Sequence, residues 1–88
     1  TIQENIITFS PYSLIIQNVK DYQNKLLENI TTCNAINLEL FHINEIDTSG
    51  IQLILSIQNY CSNNNKVCNI KSISSLVEKR LEMLGVSL

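Results

Sequence analysis

The stretch Ile46-Asp47-Thr48-Ser49-Gly50-Ile51-Gln52-Leu53-Ile54-Leu55 decides how the rest of the chain is read. It is a short polar turn running straight into an apolar segment. Asp47, Thr48 and Ser49 are each good N-cap residues, because a side-chain oxygen can accept from the free N–H groups of a first helical turn. Three such residues followed at once by an apolar run signal a helix start. The same place welcomes negative charge, through the helix dipole and the unpaired N–H groups. A phosphate on Thr48 or Ser49 would be tolerated there, and this turn is read as the working site.

The helix it opens is expected over about residues 49–62. Ile51, Leu53, Ile54, Leu55, Ile57, Tyr60 and Cys61 make it apolar around most of its circumference, so it is buried or shows one face to a partner. Ser62-Asn63-Asn64-Asn65 ends it, since Asn accepts the left-handed conformation of a helix C-cap. Upstream, residues 35–41 alternate. Ile36, Leu38 and Leu40 point one way and Asn37 and Glu39 the other, which reads as a strand with one buried face. Helices should then cover one side of the sheet and leave the other half wet. His42 to Ile46 is expected to be the loop that delivers the key turn.

Further out, residues 2–9 read as a strand on their β-branched and aromatic content. Pro11 lies in the turn Ser10-Pro11-Tyr12-Ser13, and Leu14-Ile15-Ile16 reads as a second strand. The two should form an antiparallel hairpin. Asn18 can cap a helix over 18–30, in which Val19, Tyr22, Leu26, Leu27 and Ile30 recur at helical spacing. Lys66 to Ile70 is the last strand. The last helix spans 74–84, capped by Ser74 or Ser75, with Val77, Leu81 and Leu84 on one face, Leu76 and Met83 beside them, and Gly85 as its stop. The fold class expected is α/β: a four-stranded mixed β-sheet with helices packed on one face, in the order β-β-α-β-α-β-α. In open sheets of this kind, sites lie where a strand hands over to a helix, which places the turn after 35–41 well.

Composition narrows the function. At 88 residues, 44% hydrophobic and 16% charged, the chain is one domain, 1–88, with enough apolar content for a core. A net charge of −2, with the six basic residues scattered, argues against nucleic acid as the main partner. Cys33, Cys61 and Cys68 are odd in number and lack CxxC spacing, so they read as reduced thiols acting as small hydrophobes. That fits a cytoplasmic home. No apolar run approaches the ~20 residues of a membrane span, and the first residues do not read as a signal peptide. No P-loop, GxGxxG or metal-ligand cluster is present, so neither cofactor nor metal is expected. His42 is the single histidine. A Thr48–His42–Asp47 triad is set aside, because sequence neighbours rarely reach that geometry. An enzymatic reading is set aside.

Three segments carry a family resemblance. Residues 36–40 followed by Ile46-Asp47-Thr48-Ser49-Gly50-Ile51 resemble the strand, loop and Asp-Ser/Thr-Ser/Ala/Gly-Gly-Leu helix start of the STAS family (sulphate transporter and anti-sigma factor antagonist domains). Leu14 to Val19 looks like that family's passage into its first helix, and Leu76 to Val86 like its last helix closing on Leu-Gly. The resemblance implies a small STAS-like interaction domain. In the family's bacterial regulatory members, the hydroxyl residue directly after the Asp is phosphorylated by a partner kinase that is also the anti-sigma factor, and phosphorylation breaks the complex. That position is Thr48. The partner-binding set implied is Asp47, Thr48, Ser49, Gly50, Ile51, Leu53 and Ile54. Asp47 would flank and orient the acceptor, Gly50 would admit the partner backbone, and Ser49 would be the structural cap. Glu45 joins the set because it makes the same edge negative.

The acceptor is Thr where typical sigma-regulating members have Ser. Thr at this place also resembles members beside chemotaxis proteins and the small subunit of a lipid-transport ABC system. The alternative is therefore an unphosphorylated interaction subunit gripping an ABC ATPase or a chemotaxis protein. Glu39 stands where Asp is common, and Asn63 to Asn65 where Gly is common. A homodimer through the open edge of the first strands is left open.

Overall fold

The computed structural model describes residues 5–88. It contains, in order, β1 (Ile6–Phe9), β2 (Ser13–Leu14), α1 (Val19–Asn29), β3 (Ala35–Leu40), β4 (Glu45–Ile46), α2 (Thr48–Asn63), β5 (Val67–Ile73) and α3 (Ser75–Leu84). The expected α/β class, three helices and strands joined through helices are all present. The expected strand count and order are not. Among the described residues five strands form two sheets, a three-stranded one ordered β1-β3-β5 and a two-stranded one of β2 with β4.

The predicted antiparallel hairpin is the main correction. β1 pairs in parallel with β3, and β2 pairs in parallel with β4, so the sheets are parallel and not mixed among the described residues. The physical reason is the buried Pro11 segment. It turns the chain out of the β1 line, and the backbone of residues 12–14 then finds partners across the 44–47 segment: Asn44 N–H donates to the Tyr12 carbonyl and Asp47 N–H to the Leu14 carbonyl, at 2.9 and 3.2 Å. A two-residue strand with no turn chemistry of the hairpin kind gains more from this pairing than from folding back. Residues 2–4 of the predicted first strand lie outside the described residues.

β3 behaves as its alternation demands. Ile36, Leu38 and Leu40 are fully buried, while Ala35, Asn37 and Glu39 are half-buried. On the buried side Leu38 faces Phe9 on β1 and Ile70 on β5 in register. Phe9 meets Tyr22 of α1 edge-to-face at 5.3 Å, which seats α1 on that side. On the other side Asn69 donates to the Asn37 side chain at 3.1 Å, and Ile6 and Val67 are exposed. That side is open, as the alternation anticipates. One register shift between Leu38 and Glu39 leaves Lys71 as the extra residue on β5.

α2 supplies most of the helical core, through Ile51, Leu53, Ile54, Ile57 and Cys61. It ends at Asn63, and Asn65 takes the left-handed conformation at φ 56°. α3 is capped by Ser74, which accepts from Val77 N–H, and ends at the left-handed Gly85. Val77 and Leu81 are buried, but Met83 is 75% exposed and Leu84 nearly half exposed, so the predicted stripe stops at Leu81. No helix among the described residues is long and apolar enough to cross a membrane. All three cysteines are free thiols, two of them buried.

Candidate functional site

The turn before α2 is organised by Asp47. Its backbone is extended, at φ −121° and ψ −173°, as an N-cap requires. One carboxylate oxygen accepts from Gly50 N–H at 3.2 Å, closing the first turn of α2. The other accepts from Ile16 N–H at 2.9 Å, 31 residues away in the chain. Asp47 therefore caps its own helix and ties the β2–α1 connection to it. This corrects the expected division of labour. The structural cap is Asp47 and not Ser49, because the first extended residue before the helix is the one whose side chain reaches the third N–H within it. Each of its carboxylate oxygens thus carries one bond from a backbone N–H.

Thr48 is the first helical residue and is exposed. Ser49 is half-buried and lines a groove of about 230 Å³ between α1 and α2, together with Ile16, Val19, Gln23, Gln52 and Leu53. Gly50 is buried. A Cβ built on it would run into the Leu14 carbonyl oxygen, and would lie 2.7 Å from Leu14 Cβ and 2.8 Å from Ile46 Cγ1. The glycine thus lets α2 lie directly on β2 and β4 of its own chain. Ile51 and Ile54 are buried in the core and support the surface around Thr48 from below, while Leu53, also largely buried, reaches the groove beside Ser49.

Glu45 is exposed on β4, and its carboxylate accepts from the Ser13 hydroxyl at 2.9 Å. Asn18 donates to that same Ser13 oxygen at 3.1 Å and accepts from Ile15 N–H at 2.9 Å. Asn18 precedes α1 but makes no side-chain cap to it, contrary to the sequence reading; its amide is spent on the turn before the helix. Ser13, Ile16 and Asn18 thus belong to the site, and sequence reasoning did not assign them to it. The Asn18–Ile15 link had a local signal, a polar amide three residues beyond the N–H it serves. The Ile16–Asp47 and Ser13–Glu45 links had none, being more than 30 residues apart.

His42 lies on the neighbouring surface, between the rings of Tyr12 and Phe41 at 5.6 and 5.5 Å. It makes an exposed aromatic cluster with them, and no hydrogen bond joins it to Asp47 or Thr48. Among the described residues no group of His, Cys, Asp or Glu is arranged to hold a metal ion. Away from the turn, burial raises the Cys61 thiol pKa, helped by nearby Cys33. Burial, then the neighbouring Cys61, pushes Cys68 up to about 11. Neither is set up as a nucleophile.

The turn therefore presents the exposed Thr48 at a helix N-terminus, on an acidic edge, over an apolar support. No curated protein and no solved structure matches the chain. A family model for the STAS domain matches residues 1–88, which agrees with the strand-to-helix turn at Asp47 and with the α/β architecture around it, and the chain belongs to the STAS domain family.

Proposed function

We propose that this STAS domain is an anti-sigma factor antagonist-like regulatory module that docks a serine/threonine kinase anti-sigma factor and is switched by phosphorylation at Thr48. The observation that carries the reading is the exposure of Thr48 at the first position of α2, while Asp47 before it caps the helix and holds Ile16. In the reaction, the Thr48 Oγ1 attacks the γ-phosphorus of the kinase's ATP, its proton passes to the kinase's base, and ADP leaves. The product carries about −1.5 to −2 charge at a helix start, where the N–H groups and dipole tolerate it. The domain stays folded. A partner facing Glu45, Asp47 and a new phosphate meets concentrated negative charge, and a loss of roughly 1–3 kcal/mol, up to about a hundredfold in affinity, is enough to part a complex.

The test is affinity capture from lysate of the source cells with wild type beside Thr48→Glu, and mass spectrometry on bait and prey. The expected result is a kinase-like anti-sigma factor bound by wild type, lost by Thr48→Glu, with phosphate found on Thr48. Capture of an ABC ATPase or a chemotaxis protein, with Thr48 unmodified, would replace this reading with that of a constitutive interaction subunit. Equal capture by both baits would leave Thr48 as an ordinary helix residue.

A further inference from the structure

Among the described residues, the Asp47 carboxylate is the only side chain whose hydrogen bonds join the start of α2 to the Ile15–Asn18 connection. We infer that a phosphate on Thr48 opens this link, so that the switch changes the shape of the partner surface as well as its charge. The inference rests on Thr48 being the phosphate acceptor.

Two anions on adjacent residues compete for one set of donors. Asp47 is held where it is by Gly50 N–H and Ile16 N–H. A phosphate on Thr48 brings three strong acceptor oxygens to the same first turn, where the free N–H groups lie. It also sets a larger charge beside the carboxylate, with exposed Glu45 already on that edge. Turning the Asp47 side chain away relieves the repulsion and leaves the first-turn donors to the phosphate. Together with the bond to Gly50, Asp47 gives up its bond to Ile16. The Ile16 amide is at the surface, so water replaces the carboxylate there at small cost, whereas a buried donor would hold on.

The consequence reaches the docking surface. Ile16 is 63% exposed and forms one wall of the groove that also takes in Ser49, Gln52 and Leu53. Once its N–H is released, the connection keeps the Asn18–Ile15 and Asn18–Ser13 side-chain bonds and the backbone bonds from Asn18 and Val19 N–H to the Ile15 carbonyl, none of which reaches α2. Ile16 then loses its side-chain tie to α2 while the backbone bond from Asp47 N–H to the Leu14 carbonyl remains, and the wall that Ile16 gives the groove beside Thr48 is loosened. Asp47 in this scheme is a positioning residue for Ile16.

The experiment installs phosphothreonine at position 48 by semisynthesis, so that no kinase is needed, and follows amide exchange and amide proton shifts by NMR. Ile16 should exchange about tenfold faster than in the unphosphorylated chain and shift upfield on losing a charged acceptor, while Leu38 at the sheet centre keeps its protection. Asp47→Asn, without phosphate, should reproduce the Ile16 change in part, because the negative acceptor is gone. Ile16 exchange and shift unchanged in the phosphorylated protein would overturn the inference, even if that protein no longer bound its partner; the charge-only switch would then stand alone. Faster Ile16 exchange, together with a failure to find phosphate on Thr48 in the source cells, would uphold the link and overturn the proposed function instead.

Discussion

Gly50 shows how little room the site has. The Cβ of any other residue would press on the Leu14 carbonyl and on the side chains of Leu14 and Ile46, and backbone of a paired strand cannot step aside. Gly50→Ala should destabilise the domain by about 3 kcal/mol, as overpacking against unyielding backbone does. Gly85→Ala is the control. It has open space around it and a φ of 67°, so only the left-handed conformation is penalised, at about 1 kcal/mol. Urea unfolding of the two variants should separate these costs. Cys68 makes a prediction in pH. Its folded pKa, pushed up to about 11 by burial, lies above that of an unfolded thiol. The folded state thus holds its proton longer, so the stability this group contributes is full below the unfolded pKa and is lost as pH rises through the folded one. Alkylation of Cys68 in the folded protein should stay slow near pH 8 and accelerate toward pH 11, whereas in denaturant it should already be fast near pH 9.

At the scale of elements, caps divide into those legible locally and those that are not. Ser74 and Gly85 bracket α3 with residues whose chemistry is read one helix turn at a time. Ser74→Ala should cost about 1 kcal/mol in thermal or urea unfolding, because Val77 N–H loses its acceptor. Asn18 looked the same in sequence and does something else, because Ser13 and Ile15 offer its amide a donor and an acceptor site at once. At α2 three candidate caps stood in a row, and the chain direction settled among them: Asp47 continues the extended β4 line, so its side chain is the one that turns back onto Gly50 N–H. Local chemistry named the set of candidates, and backbone geometry chose one.

At the scale of the whole molecule, β3 is the centre of the three-stranded sheet and its inward row carries the core. A chain of this size has roughly 4–13 kcal/mol of stability in all. Leu38→Ala empties a fully buried site between Phe9 and Ile70, and should cost about 3 kcal/mol or more, lowering the melting temperature by well over 10 °C on the scale usual for small domains. Asn37→Ala, one residue away on the open side, should be nearly neutral, and thermal denaturation of the pair would check both the core and the openness of the second face. The open face and the exposed end of α3 at Met83 and Leu84 are where the apolar pattern of the sequence and the burial part company.

What the sequence determined by itself is whatever depends on near neighbours: the period of β3, the apolar wrap of α2, the helix start at 47–50 and the stop signals at Asn63 to Asn65 and Gly85. The pattern of those elements was enough to carry the STAS resemblance. Tertiary structure alone decided which strands pair, and so replaced a hairpin with two parallel sheets; it also decided that Asp47 binds Ile16 and that Gly50 faces Leu14. The reason is the same in each case. A strand's edge offers identical N–H and C=O groups to every partner, and a carboxylate accepts from any donor that arrives, so local sequence specifies the capacity to bond while the packed core selects which distant group is brought within reach.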